Sequence, residues 1–315
     1  MTTPVTTDFG SYSPAAVKNA VVPARMSRAG LACTPGLLIL LGNNKLQAKF
    51  TSDNVFKLKN GTNTINYTVS ADAAGTYPVT HGTTFEYLQN NLLNLLGLLG
   101  GSSADLPFYV KPSSATVMPI GTYTDKIKIE WTYYLCTGIG ALGACIGTLD
   151  EGTATTTINV SLNVEAKNIT LTTTTSTTWD PVNGTTNPKS LPGGRKRMAI
   201  AVANPDLVAA DNNSLALNVP IPAGTMLALD GDGTSSTFLQ MADGNPSAAL
   251  VLVYTSPSST SDDVDFSSDN GASWTYVPVA GNDASQAAVT NMRLRARGAM
   301  AAGSSATVSI PLKTK

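Results

Sequence analysis

The sequence predicts an all-β protein made of two Ig-like β-sandwich domains. Three observations carry that prediction. Short segments alternate apolar and polar residues with a period of two. β-Branched and aromatic residues fill these segments, and Gly, Asn, Pro or Ser ends each of them. Their close spacing favours sandwiches over an array of parallel strands and crossover helices.

The clearest segment is PIGTYTDKIKIEWTYY, residues 119–134. Ile127, Ile129 and Trp131 fall on one face of an extended chain and Lys126, Lys128 and Glu130 on the other, with Gly121 at the turn before it. KLQAKFT, VFKLKNG, TINYTVSA and LPFYVKPS precede it as strands, and TTTINVSLNVEA follows. TTFEYLQNNLLNLLGLLGG, residues 83–101, departs from the pattern. Its leucines suit a short helix ended by Gly100 and Gly101.

The run NITLTTTTSTTWDPVNGTTNPKSLPGG is the best boundary in the chain. Residues 1–170 are therefore expected as one sandwich, 171–194 as a Thr/Pro/Gly-rich connector and 195–315 as a second sandwich. The threonines also suit a strand, because β-branched side chains favour the extended state. Beyond the run, KRMAIAVANP, SLALNVPIPAGT, ALVLVYTS, VTNMRLRARG and SATVSIPLKT read as strands, and Asp269-Asn270-Gly271 is a hairpin signal.

Composition removes several function classes. Of 315 residues 42% are hydrophobic, enough for a core, while 13% are charged and the net charge is -1. So neutral a chain has no electrostatic footprint for nucleic acid. Thr, Ser, Asn and Gly in place of Lys and Glu suit a secreted β-protein. No apolar stretch is long enough for a membrane span. Residues 1–25 have neither a basic start nor an apolar run, so export requires that a leader was removed or left out of this numbering. The lone histidine, His81, reads as a turn or strand-edge residue, and with no cysteine cluster beside it no enzyme and no cofactor is expected.

Cys33, Cys136 and Cys145 are the only thiols. Cys136 and Cys145 bracket the glycine-rich CTGIGALGAC, across which a disulfide is sterically easy and implies an oxidising compartment. The other reading is three buried thiols, and Cys33 competes for either partner.

Asp230 and Asp232 in LALDGDGTSS have the spacing that opens a calcium loop, although the later acidic ligand is missing and a plain Asp-Gly turn is the better reading. Asp262, Asp263 and Asp265 read as a solvated strand edge. Arg195, Lys196 and Arg197 form a basic cluster too short for nucleic acid. The apolar loops carry more information. Leu92, Leu95, Leu96, Leu98 and Leu99 point to every side of a helix, and Ile139 and Leu142 sit between glycines at a hairpin tip. Exposed apolar groups of this kind mark contact or adhesive loops, and the competing reading is a lid over an open end of the core.

The first half of the chain resembles the spore coat protein U family, the pilin-type domain of archaic chaperone–usher fimbriae. FGSYSP, Phe9 to Pro14, is similar to that family's early segment, and Cys33 sits where the family places a strand cysteine. LPFYVKPSSATVMPIGTYTDKIKIEWTY is similar to its closing signature, with GTYTD the most specific part. The chain departs by continuing through CTGIGALGAC and by the leucine-rich insertion. The second half is more loosely similar to Ig-like domains of bacterial surface proteins, through PIPAG and DDVDFSSDNGASWTYVP.

The resemblance implies a secreted, non-enzymatic structural or adhesive subunit of bacterial fimbriae or a related coat, exported through the periplasm. Its partners would be other fimbrial or coat subunits, a periplasmic chaperone and an usher, with a surface or host receptor. In that family a sandwich accepts a strand from its neighbour. The segment 154–170, with Ile158, Val160, Leu162 and Val164 on one face, has the alternation of such a strand and acts either in trans or in cis on the preceding domain. The alternative function is an extracellular binding module, for example for carbohydrate, which exposed tryptophans would favour; Trp131, Trp179 and Trp274 mostly look core-facing.

Overall fold

The computed structural model of the protein describes residues 6–33, 44–88, 104–114, 116–136, 139–141 and 144–315. The chain divides into two compact units, 1–166 and 167–315. Both are built from strands, and the helices among the described residues are two five-residue turns. Of the stretch 83–101 expected to hold a short helix, Thr84–Glu86 is a strand, and residues 89–101, with the leucines from Leu92 to Leu99, lie outside the described residues.

Unit 1 contains β1 (Thr7–Tyr12), α1 (Pro14–Lys18), β2 (Arg25–Cys33), β3 (Lys45–Ser52), β4 (Lys57–Asn60), β5 (Asn63–Ser70), β6 (Pro78–Val79), β7 (Thr84–Glu86) and β8 (Ala104–Ser113). It is completed by β9 (Gly121–Cys136), β10 (Ile139–Ala141), β11 (Ala144–Ile146) and β12 (Leu149–Val164). The single turn of α1 forms because the Ser13 hydroxyl accepts the Ala16 N–H at 2.9 Å and Pro14 presets the first helical residue.

The strand order is β1-β12-β9-β4-β5-β8-β2, and β3 also pairs with β9. Alternation decides which face of β9 is buried: Tyr123, Ile127, Ile129 and Trp131 are at most 1% exposed, while lysines face solvent between them. The sheet curls until its two ends face each other. Phe50 of β3 meets Phe108 of β8 edge to face at 5.6 Å, and the Trp131 indole N–H donates to the Ala29 carbonyl at 3.1 Å.

Unit 2 contains β13 (Thr170–Trp179), β14 (Arg195–Ala203), β15 (Ala216–Pro220), β16 (Thr225–Leu227), β17 (Gln240–Asp243), β18 (Val264–Ser267), α2 (Asp283–Ala287), β19 (Asn291–Arg295) and β20 (Ser305–Thr314). One sheet runs β13-β14-β20-β16 with β17 also on β20, and the other runs β15-β19-β18. Met198, Ile200, Phe238, Phe266, Leu294 and Ile310 fill the core between them.

Two details differ from the sequence reading. The threonine run assigned partly to a connector is β13, paired along its length with β14 inside unit 2. Thr170 to Ser176 are all exposed, so no alternation in burial accompanies the strand. Asp262 and Asp263 are buried rather than at a solvated edge. Asp262 accepts the Thr255 N–H at 2.9 Å, and Asp263 accepts the Val253 N–H at 2.7 Å and the Arg297 guanidinium. At the expected hairpin the chain turns at Asn270 and Gly271, with φ of +60° and +85°, and returns to bridge Phe266 with Tyr276.

Candidate assembly interface

The strand singled out for complementation is the second half of β12. Ile158, Val160, Leu162 and Val164 are at most 1% exposed, all in unit 1. β12 runs antiparallel to β9 from Leu149↔Cys136 to Val164↔Gly121, and β1 joins its other side in parallel from Thr7↔Val160. The edge of β9 is thus covered by a strand of the same chain. Gly30, in a bulge of β2 with φ of +77°, lets this strand come close: a Cβ there would run into Thr156.

The far end of the β9–β12 hairpin is tied by a disulfide between Cys136 and Cys145, with Cα atoms 5.7 Å apart. Between them β10 and β11 form a small antiparallel ribbon from Ile139↔Ile146 to Ala141↔Ala144. Ile146 is 67% exposed and Leu149 40% exposed at this end. Leu92, Leu95, Leu96, Leu98, Leu99 and Leu142 lie outside the described residues, as does the side chain of Ile139. Cys33 closes β2, and its side chain too lies outside them.

In unit 2 the sheets are unequal, and the mismatch leaves a slot. β13 pairs only with β14, and β15 only with β19, among the described strands. The two edges lie on the same side of the sandwich, because Leu171 and Thr173 of β13 line one cavity with Leu217 and Val219 of β15. Met198 and Ile200 form its floor, and its volume is about 240 Å³. The inner face of β13 is uncovered for this reason: Leu171 points into the slot yet is 56% exposed. Sequence reasoning missed the slot, whose only signal was an apolar Leu171 at the start of a threonine strand.

The proposed calcium ligands are otherwise engaged. Arg195 and Arg197 alternate onto one face of β14, where Arg195 holds Asp230 through two bonds of 2.6 and 2.7 Å. Arg197 Nε lies 2.5 Å from Asp232, which also accepts the Thr234 and Ser235 N–H groups. Burial alone would raise the Asp232 carboxyl, but the bonds from Thr234, Arg197 and Ser235 outweigh it and hold the group well below the usual carboxylate range. An arginine and backbone N–H groups thus take the place a cation would occupy. His81 is also committed to structure: its Nε2 accepts the Ser52 N–H at 3.0 Å, and its ring packs edge-on against Phe56. Trp131 is core, whereas Trp179 and Trp274 are half-buried. Among the described residues no helix is long and apolar enough to cross a membrane.

Comparison with known proteins bears on the first unit. Residues 1–130 match the Spore Coat Protein U domain. The Spore Coat Protein U match supports the resemblance carried by FGSYSP and GTYTD and is to a structural, non-enzymatic domain. It ends within β9, so β12, which closes the sheet, lies beyond it. Among solved structures, the CsuC–CsuE chaperone–tip adhesion subunit pre-assembly complex of archaic Csu pili from Acinetobacter baumannii is 15% identical. That likeness covers 94% of this chain and 92% of that one, with a TM-score of 0.43. The BspA_C_WT structure is 8% identical over 92% of this chain and 82% of that one, with a TM-score of 0.18. No curated protein matches the chain.

Proposed function

We propose that the chain is a secreted, non-enzymatic structural or adhesive subunit of bacterial surface fimbriae or a related coat, and that it joins its neighbours by accepting a β-strand in the slot of unit 2. The uncovered inner face of β13 carries this reading. An extended segment laid between β13 and β15 would meet unpaired N–H and C=O groups on both edges. Its alternate apolar side chains would enter the slot, and each one fully buried contributes about 1.5–3 kcal/mol. A periplasmic chaperone would hold the slot during export and an usher would direct the exchange for a neighbouring subunit. β12 then acts in cis, as the strand that covers β9 in unit 1.

A second reading, attachment to a surface or receptor, rests on Ile146 and Leu149, which stand exposed at the end of the hairpin. The two readings are compatible within one subunit.

A photo-crosslinking amino acid at Leu171 of the full chain, in its native cells, tests the assembly reading. Crosslinks to a chaperone in the periplasm and to another subunit at the surface are expected. The same probe at Val182, 75% exposed outside the slot, should give neither. Identical crosslinks from both positions, or none from Leu171 in assembled fibres, would refute it.

A further inference from the structure

We propose that unit 2 also carries a binding site for an acidic sugar residue beside β18. A cavity of about 250 Å³ opens there between β18, the loop 257–260 and the segment 274–277. Its wall is aromatic, from Trp274 and Tyr276, and its rim is charged, from Asp265 and Arg295. Thr260 and Thr275 line it as well. This combination suits a pyranose: the C–H face of the ring packs on an aromatic surface while hydroxyls and charges meet polar groups around it.

The aromatic wall is held in place before any ligand arrives. Arg293 lies 4.8 Å over the Trp274 ring centroid and donates to Asp265 at 2.8 Å. Arg295 donates to the same carboxylate at 2.6 Å and to the Asp262 carbonyl at 3.0 Å. Indole, guanidinium, carboxylate and guanidinium thus form one fixed chain, which lowers the ordering cost of binding. The Tyr276 hydroxyl is committed to Ser285 at 2.9 Å, so this residue offers its ring only.

The exposed guanidinium selects among sugars. The Asp265 carboxylate is shared between two guanidinium groups, and the Arg295 side chain, 40% exposed, keeps donors free beside the cavity. A carboxylate carried by the sugar would accept from the remaining Arg295 donors. The Thr260 and Thr275 hydroxyls make no hydrogen bond to protein among the described residues and can serve the ring hydroxyls. The ligand class is therefore a uronic acid unit of an acidic polysaccharide.

Calorimetric titration of the full chain with trigalacturonate, maltotriose and acetate tests this. Saturable binding of trigalacturonate is expected, with maltotriose at least ten-fold weaker and acetate unable to displace the trisaccharide at equal concentration. Trp274→Phe should weaken binding. Thr260→Trp, at an exposed loop position, should block the cavity and abolish binding with the melting temperature unchanged; it decides the matter if the first variant fails to fold. Absence of saturation, equal affinity for maltotriose, displacement by acetate, or full binding by Thr260→Trp would each overturn the proposal.

Discussion

Gly30 lies against Thr156, and a side-chain carbon at residue 30 would overlap the threonine. The contact joins the bulge of β2 to the middle of β12, so packing within unit 1 depends on a missing Cβ.

Gly30→Ala should therefore destabilise unit 1 on two counts. The left-handed backbone, φ +77°, costs an alanine about 1–2 kcal/mol, and the overlap adds about 1–3 kcal/mol. Thr156→Ala in the same chain should recover most of the second part, because it removes the two closest atoms, and leave the first. Thermal unfolding of the single and double variants separates them, and a single variant melting with the wild type would show that the strands are not in contact.

Reducing the Cys136–Cys145 bridge, which closes a loop of 9 residues, should cost about 2–3 kcal/mol on the chain-entropy account. Mass mapping of protein from its native compartment, run with and without reductant, should find these two cysteines in one peptide pair. Recovery of all three thiols free would contradict it.

Asp180 gives unit 2 a pH dependence of defined sign. Burial alone would raise its carboxyl, but the N–H groups of Asn183, Lys189 and Val182 and the Asn183 side chain outweigh it and hold the group at about 2. A carboxyl depressed in the folded state stabilises above its ordinary value of about 3.9, and that contribution disappears as pH falls towards 2. Melting temperatures of wild type and Asp180→Asn should differ at pH 6 and converge between pH 4 and 2. A constant difference across that window would remove the carboxylate from the account.

Ile146→Asp and Leu149→Asp place charge at the exposed end of the hairpin. Surface substitutions of this kind change stability by about 0.5 kcal/mol or less, so the melting temperature should hold while attachment of cells to an apolar surface falls. A loss of several kcal/mol would instead identify these side chains as part of the core.

How much was legible in the sequence depended on whether burial alternates. In β12 it does, and Ile158, Val160, Leu162 and Val164 identify the strand and its inner face before any coordinates. The same pattern serves a strand paired in cis or in trans, so alternation could not say where it docks. In β13 both faces are exposed, which is why a strand of threonines was read partly as connector. The partners of Asp230 and Asp232 come from a strand 35 residues earlier, and separation along the chain hides such a pairing. The slot of unit 2 was invisible for a different reason: it lies between strands far apart in the chain, and no local pattern encodes it.

The linkage of β12 to β9 through residues 137–148 has a kinetic consequence. A strand on a short tether meets its partner at an effective concentration on the order of millimolar, whatever the dilution of the protein. A free segment at micromolar levels cannot displace it by mass action. Closure of the first sheet is a unimolecular event, whereas any strand that docks on β13 from another chain arrives at its bulk concentration. Pairing of β12 with β9 thus follows a first-order rate law, whereas the docking proposed at β13 would follow a second-order one.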